Sequence, residues 1–159
     1  MSTAPADLTP AERSTLAECI RRAHAASDAP GKAGISAAVM KDGAVLAWGD
    51  NQVFLDHDVT RHAEVVAMSR ATAALGAPDL SGCTLLSSLQ PCEMCLSAMR
   101  FAGIDRVIFA ATKARVAAKY FMFPALSIDQ FKDADKTSFH WIGGVLEDEV
   151  VALYADGDE

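Results

Sequence analysis

The stretch CTLLSSLQPCEMCLSAMRFAGIDRVIFAA, residues 83–111, decides the fold class of this chain. Residues 83–89 and 106–111 are short apolar runs of the kind that form buried strands. The segment between them predicts a helix, because proline is favoured at the first helical position, here Pro91, and glycine where a helix ends, here Gly103. A strand, a helix and a second strand in this order indicate an α/β sheet with at least some parallel strands.

The chain upstream of this stretch extends the alternation. TPAE predicts a helix start with Thr9 as the cap and Glu12 completing a capping box. Asp42-Gly43 between two apolar runs is typical of a β-hairpin. A further helix is expected from about Thr60. Helices that alternate with strands pack on both faces of a sheet, so the pattern predicts an α/β domain that begins with a helix and a hairpin.

The pattern downstream is less regular. FHWIGGVL, residues 139–146, predicts another strand, and EDEVVALYA, residues 147–155, predicts a closing helix. No repeat or linker-like composition interrupts the chain, and 159 residues is a common size for one domain. We therefore expect a single domain over residues 1–159, with residues 1–8 and 156–159 loose.

The charge balance and the cysteine content restrict the function. With 14 basic and 21 acidic residues the net charge is −7, so the chain repels polyanions and nucleic acid is disfavoured as a partner. The N-terminus has neither the basic segment nor the apolar segment of a secretory signal peptide, and no apolar run approaches the length of a membrane span. We expect a soluble cytoplasmic protein without a membrane partner, whose four cysteines stay reduced as metal ligands or core residues.

Two motifs at predicted helix starts carry side chains that bind metals. Cys92 and Cys95 in QPCEMC are one helical turn apart, so both sulfurs can reach one ion. His62 in TRHAE begins the other helix and can supply a nitrogen. Because ligands of such sheets bind beyond the carboxyl ends of strands, where helices begin, the two motifs are expected to meet. Two cysteines and one histidine leave tetrahedral zinc with one open position, as in catalytic sites.

Glu64 separates a catalytic site from the alternatives. At a helix tip its carboxylate can lie beside the metal and move a proton of a water that zinc activates. CxxC alone also occurs as a redox pair or as half of a closed structural site, which would need a fourth ligand such as Cys83. Cys83 opens a strand and Cys19 lies on the apolar face of the first helix, so both are expected in the core. HAE together with PCEMC therefore favours catalytic zinc.

With these motifs the chain resembles the cytidine-deaminase-like superfamily, in particular the branch of bacterial guanine deaminases, tRNA adenosine deaminases and fungal cytosine deaminase. HAE and PCEMC match the HxE and PCxxC signature of zinc nucleobase deaminases. DVTRHAE resembles the branch's DPTxHAE with Val59 in place of proline, and QPC has Gln90 where EPC is common. The resemblance extends from about Gly34 to Ala111, and a weaker similarity continues in GGVLEDEVVALY, residues 143–154. It implies a three-layer α/β/α sandwich around a mixed sheet of about five strands, with an N-terminal hairpin.

The resemblance also implies the chemistry. His62, Cys92 and Cys95 would hold zinc. Glu64 would take a proton from the activated water and deliver it to a ring nitrogen, while Asn51 would hydrogen-bond the base. The implied reaction is hydrolytic loss of ammonia from a small purine or pyrimidine base, nucleoside or close analogue, with guanine and cytosine as first candidates. Such proteins usually form dimers or larger assemblies, so we expect a homo-oligomer, most simply a homodimer.

In this fold the segment that follows the strand predicted at 106–111 usually walls the pocket. Here that segment is residues 112–138, and its role decides the substrate. Phe121 and Phe123 can stack on a base, although packing in a core or an interface explains them equally well. Guanine deaminases carry a second acidic residue in this region, whereas no acid follows KYFMFP before Asp129, which argues against guanine itself. tRNA adenosine editing is one alternative, disfavoured by the acidic chain end EDEVVALYADGDE. An inactive zinc-binding scaffold is another.

Overall fold

The structure, a computed structural model, describes residues 7–27 and 34–155. Most of the residues that we expect to be loose, 1–6 and 156–159, lie outside the described ones. Within the described ranges no helix is both long and apolar enough to span a bilayer.

Helices and strands alternate along the described chain. In order they are α1 (Pro10–Ala26), β1 (Ser36–Lys41), β2 (Ala44–Asp50), α2 (Val53–Asp56), α3 (Ala63–Leu75), β3 (Thr84–Leu89), α4 (Glu93–Phe101), β4 (Arg106–Ala111), α5 (Ile128–Asp133) and β5 (His140–Ile142). Short 3-10 turns lie at Lys113–Arg115, Ala118–Tyr120, Glu147–Glu149 and Val151–Tyr154. The strands form one mixed sheet in the order β2-β1-β3-β4-β5. β1 is antiparallel to β2 and β3, whereas β3, β4 and β5 are parallel.

The local start and turn signals act where the sequence predicts them. The Glu12 main-chain N–H donates to the Thr9 hydroxyl at 3.1 Å, and the Glu12 carboxylate accepts the Thr9 N–H at 3.0 Å, which completes the capping box of α1. Asp42 and Gly43 have φ angles of 53° and 79°. Two successive residues in the left-handed region are what a two-residue hairpin turn requires, and this turn joins β1 to β2.

Helices cover both faces of the sheet, so the three layers implied by the resemblance are confirmed. On one face α3 and α4 pack through a buried apolar cluster that includes Ala67, Leu85 and Phe109. On the other face α1 and the last 3-10 turn pack through a second cluster that includes Leu16 and Tyr154. β3 and β4 are buried on both faces, which is why their sequences read as nearly continuous apolar runs.

Two predictions for the C-terminal part are wrong in extent. The strand predicted over residues 139–146 covers only β5, which ends at Ile142. Gly144 follows with a φ of 78°, in the left-handed region, so the regular extended backbone does not continue to residue 146. The helix predicted over residues 147–155 is a pair of 3-10 turns, since Val150 between them has a non-helical backbone with φ −136° and ψ −18°. The predicted order of a strand followed by helical turns is otherwise correct.

Tyr154 ties the last 3-10 turn to the sheet. Its side chain is fully buried, and its hydroxyl donates to the Gly34 carbonyl at 2.7 Å. The same hydroxyl shares a 2.9 Å hydrogen bond with the hydroxyl of Ser88 on β3, and the Ser88 oxygen accepts the Ser36 main-chain N–H at 3.1 Å. Three segments that are distant in sequence are therefore joined by one chain of buried hydrogen bonds.

Replacement of Tyr154 by phenylalanine is expected to lower the free energy of unfolding by about 1–3 kcal/mol, because the Gly34 carbonyl and the Ser88 hydroxyl would stay buried without this partner. Urea denaturation followed by circular dichroism measures the change. In the double variant Ser88→Ala/Tyr154→Phe the loss should be smaller than the sum of the single losses, since the two side chains share one hydrogen bond. Strictly additive losses would contradict the network.

Candidate metal centre

Two helix N-termini meet at one edge of the sheet. His62 is the N-cap residue of α3, Cys92 is the N-cap residue of α4, and Cys95 lies in the first turn of α4. The start of α3 can lie close to β2 because Gly49 has no side chain. A Cβ at Gly49 would be 2.3 Å from the main-chain oxygen of Ala63, the residue after His62. The glycine therefore helps to place the histidine.

The three ligand atoms form a triangle of the size that zinc requires. His62 Nδ1 is 3.4 Å from Cys92 Sγ and 3.6 Å from Cys95 Sγ, and the two sulfurs are 3.7 Å apart. Zinc bonds of about 2.3 Å to sulfur and 2.05 Å to nitrogen at tetrahedral angles place two sulfurs about 3.8 Å apart, and sulfur and nitrogen about 3.5 Å apart. The residues fit the ion.

A closed structural site is not formed by the described residues. The only group of three or more potential ligands found among them is His62, Cys92 and Cys95. Cys83 precedes β3 at the end opposite to the motif, and it is 1% exposed in the apolar core, as predicted; Cys19 is fully buried in the other core cluster. A tetrahedral metal bound here keeps one position open for another ligand.

The polar contacts within the triangle prepare Cys92 to bind a cation. Its hydrogen bond with Cys95 is the main cause that lowers the pKa of the Cys92 thiol to about 4, and the contact with His62 acts in the same direction. The hydrogen bond with Cys92 also raises the pKa of His62. The same sulfur–sulfur contact and burial raise the pKa of Cys95 well above its usual value. The lowered pKa of Cys92 favours its thiolate form, which is the form that binds metals.

Glu64 is buried beside these ligands, as the catalytic interpretation requires. Its side chain is 4% exposed, and burial, followed by the charge of Cys92, raises the pKa of its carboxyl group to about 7. The Ser87 hydroxyl donates to Glu64 Oε2 at 3.2 Å and accepts the Leu89 N–H at 3.3 Å. Sequence reasoning missed Ser87, which looks like one more small residue in a buried strand.

A cavity of about 160 Å³ opens at the metal-binding group. The described residues that line it are Ile35, Asn51, His62, Ala63, Glu64, Leu89, Gln90, Cys92, Lys119 and Tyr120. Glu64 is the only carboxylate among these described lining residues. The next acid after KYFMFP, Asp129 on α5, instead accepts a 2.9 Å hydrogen bond from the indole N–H of Trp141.

Asn51 lines the cavity. Its Oδ1 accepts the Val53 main-chain N–H at 3.1 Å, at the start of the short helix α2. This hydrogen bond fixes the orientation of the amide and leaves the Nδ2 group as the donor available to a ligand. The sequence did not predict the short helix that orients this amide, and base binding by Asn51 stays a prediction.

The structure places Phe121 and Phe123 apart from this cavity. Phe121 is 7% exposed and lines a separate void of about 10 Å³ beside Pro91 and Leu96. Phe123 is 58% exposed. Neither is among the described lining residues of the larger cavity. The residues of this segment that line it are Lys119 and Tyr120. A substrate contact by the two phenylalanines stays a prediction.

Comparison with known proteins gives a consistent result. The family model described as "cytidine and deoxycytidylate deaminase zinc-binding region" matches residues 10–111. A guanine deaminase of Bacillus subtilis is 45% identical over 75 residues, which are 47% of this chain and 48% of that enzyme. A tRNA-specific adenosine deaminase of the same organism is 28% identical over 134 residues, 84% of this chain and 80% of the relative.

A solved structure of guanine deaminase from Nitrosomonas europaea shares the fold over most of its length. It superposes with a TM-score of 0.76 at 27% identity and covers 91% of this chain and 82% of its own. Several curated relatives are matched only in part, since the alignment covers between 13% and 54% of the length of five of them. The chain thus spans about half of these relatives or less.

Proposed function

The chain belongs to the family of the cytidine and deoxycytidylate deaminase zinc-binding region, and on this premise we propose that it is a zinc-dependent hydrolytic deaminase of a small aminated heterocycle. The single observation that carries the proposal is that Glu64 lines the same cavity as His62 and Cys92, beside a zinc-sized triangle completed by Cys95. A redox pair or a closed structural site has no use for a buried carboxylate at this position.

His62, Cys92 and Cys95 would hold the ion, and zinc bound there acts as a Lewis acid that activates water at neutral pH. Glu64 is the general base and then the general acid. Its carboxylate accepts a proton from the attacking water and delivers it to the ring nitrogen next to the aminated carbon. Glu64 then carries the second proton of the water to the amino group, so that the carbon–nitrogen bond breaks and ammonia leaves, while the water oxygen stays on the ring carbon as a carbonyl.

Asn51 and the cavity walls orient the heterocycle for this attack. The Asn51 amide oxygen is bound to the Val53 N–H, so its Nδ2 can donate to a carbonyl or ring nitrogen at a smaller entropic cost of ordering the side chain. Tyr120 supplies an aromatic surface at the same cavity. Near-attack geometry requires contacts of this kind because the reacting atoms must be held about 3–3.5 Å apart.

The volume and the lining residues of the cavity support a small substrate. About 160 Å³ is well below the volume of pockets for drug-sized ligands, roughly 300–1,000 Å³, so a single base fits this class best and a nucleoside less well. The similarity to guanine deaminases supports guanine. A single carboxylate among the described lining residues supports a substrate that needs no second acid, such as cytosine.

Replacement of Ser87 by alanine is expected to lower kcat about 3- to 10-fold with little change in KM, because Glu64 loses the donor that orients its carboxylate. Steady-state kinetics of the zinc-loaded variant measure the effect, and Ser87→Thr should restore most of the activity. Ser88→Ala is the matched control, since Ser88 contacts Tyr154 on the other face of β3. Equal kcat losses in both alanine variants would contradict the orienting role.

An ammonia-release assay with the purified, metal-analysed protein tests the proposed function. The panel contains guanine, cytosine, adenine, their nucleosides and aminated pterins and triazines. We expect turnover of at least one free base that is lost on zinc removal and restored by added zinc. Zinc-loaded protein that releases no ammonia from any member would instead support an inactive scaffold.

tRNA adenosine editing is the second candidate, because a tRNA-specific adenosine deaminase matches most of this chain. The described C-terminal part is acidic: Glu147 and Asp148 already bind Arg115, and Asp148 and Glu149 are exposed to solvent. Inosine formation in tRNA with salt-sensitive binding would establish editing, whereas no gel shift with tRNA would exclude it.

We also propose that the protein acts in the cytoplasm and that it forms a homodimer or larger assembly. Sedimentation analysis of the purified protein tests the assembly.

A further inference from the structure

Residues 119–126 change direction at the cavity. Lys119 and Tyr120 line the cavity, whereas the side chains that follow lie outside it. Phe123 and Leu126 are the first and last residues of a β-turn, with a 3.0 Å hydrogen bond from the Leu126 N–H to the Phe123 carbonyl and Pro124 at the second position, where proline is favoured. We call residues 123–126 the clamped turn.

Burial alone holds this turn weakly. Met122 is 81% exposed and Phe123 is 58% exposed, so neither gains much from the hydrophobic effect. Phe121 is the buried anchor of the segment, at 7% exposure. Polar contacts therefore hold the exposed part of the turn, and these come from two charged side chains that the metal site does not use.

Lys113 binds the turn from one side. Its ammonium group donates to the Phe123 carbonyl at 2.8 Å and to the Leu126 carbonyl at 2.7 Å, and it lies 4.9 Å from the centre of the Phe121 ring. Lys113 itself is anchored, because its main-chain N–H donates to the Gln90 side chain at 2.8 Å. One charged group thus fixes both ends of the turn and the aromatic anchor.

Glu93 binds the turn from the other side. Its Oε1 accepts the Phe123 main-chain N–H at 2.9 Å. Glu93 is the first residue of α4 and directly follows Cys92. The turn is thereby tied to the same helix tip that carries the two cysteines.

We propose that Lys113 and Glu93 are positioning residues that clamp the turn at 123–126 and thereby set the position of the cavity wall formed by Lys119 and Tyr120, and with it the size of heterocycle that is accepted. This inference rests on the proposed deaminase function for its kinetic consequence. The clamp acts through Phe121, which lies between Tyr120 and the turn in the chain: Lys113 contacts both the Phe121 ring and the turn, so its loss releases the anchor next to the wall as well as the turn. Neither residue touches the reacting atoms.

Variants in matched pairs test the clamp. Lys113→Met removes the charged donor, and Arg115→Met is its control, because Arg115 lies in the same 3-10 turn but binds Glu147 and Asp148. Glu93→Ala removes the acceptor, and Glu93→Gln keeps an acceptor oxygen without the charge. We expect about a 5- to 10-fold rise in KM for the best base in Lys113→Met and Glu93→Ala, with kcat and zinc content changed less than twofold. Glu93→Gln and Arg115→Met should resemble the wild type.

Hydrogen exchange gives a readout that does not require activity. The main-chain amides of Phe121, Phe123 and Leu126, which donate hydrogen bonds, should exchange at least tenfold faster in Lys113→Met and Glu93→Ala than in the wild type, while those of β3 and β4 should not change. If the wild-type protein deaminates nothing, the proposed function fails, and exchange alone decides the clamp. Unchanged exchange in folded Lys113→Met overturns it, and so does unchanged KM in an active enzyme or an equal effect of Arg115→Met. Should Lys113→Met not fold, Lys113→Ala and Glu93→Ala are compared in the same way.

Discussion

Replacing Glu64 by glutamine lowers kcat by about 10²–10⁴-fold if this carboxylate moves the protons of the reaction, since that is the range that a positioned general acid and base contributes. Glutamine has nearly the same shape and can still accept a hydrogen bond from Ser87, so the fold and the cavity should be retained. The amide cannot take up a proton from water. Ammonia release by zinc-loaded protein under saturating substrate measures the loss.

The control for this substitution is an acidic residue outside the cavity, Asp129 on α5. Asp129 binds Trp141 and does not line the cavity, so Asp129→Asn should keep kcat within about twofold of the wild type. The zinc content of Glu64→Gln should remain near one ion per chain, because Glu64 supplies none of the three ligand atoms of the metal triangle. Activity that survives in Glu64→Gln would remove Glu64 from the mechanism.

Replacing Cys95 by alanine should abolish both zinc retention and ammonia release. Two ligands remain in this variant, and loss of a direct ligand costs more than the 10–100-fold in affinity that is typical of changes in the groups that orient ligands. We expect the zinc content to fall from about one to near zero per chain after dialysis against a weak chelator. Elemental analysis of the dialysed protein measures it.

The control variant replaces a second buried cysteine, Cys83, which is not a metal ligand. It separates the effect of losing the metal from the effect of removing a buried side chain. Cys83→Ala also deletes a buried sulfur, since Cys83 is 1% exposed and Cys95 fully buried, but Cys83 lies at the opposite end of β3. It should lower stability while keeping zinc and activity. If Cys83→Ala loses zinc and Cys95→Ala keeps it, the ligand assignment made here is wrong.

The parts of the fold that depend on local chemistry could be predicted from the sequence. The capping box at Thr9, the left-handed pair Asp42-Gly43 and the apolar strand over residues 106–111 each involve residues within a few positions of one another. The meeting of His62 with Cys92 could also be predicted, because both residues were placed at helix starts on one edge of an α/β sheet. The triangle of ligand atoms agrees with that prediction.

The parts that depend on long-range geometry could not be predicted. Ser87 contacts Glu64 across 23 positions, and the serine alone carries no signal of this contact. The cavity wall is formed by Lys119 and Tyr120, because the short 3-10 turn before Phe121 turns that ring toward α4. The four-residue helix after Asn51 is too short to show a periodic pattern.

X-ray absorption at the zinc edge of the purified protein tests the central claim most directly. Our account predicts a four-coordinate ion with two sulfur atoms at about 2.3 Å and nitrogen or oxygen atoms at about 2.0–2.1 Å in the other positions. A shell of three or four sulfurs would indicate a closed structural site that recruits other cysteines. That result, or protein that binds no zinc at all, would contradict the account.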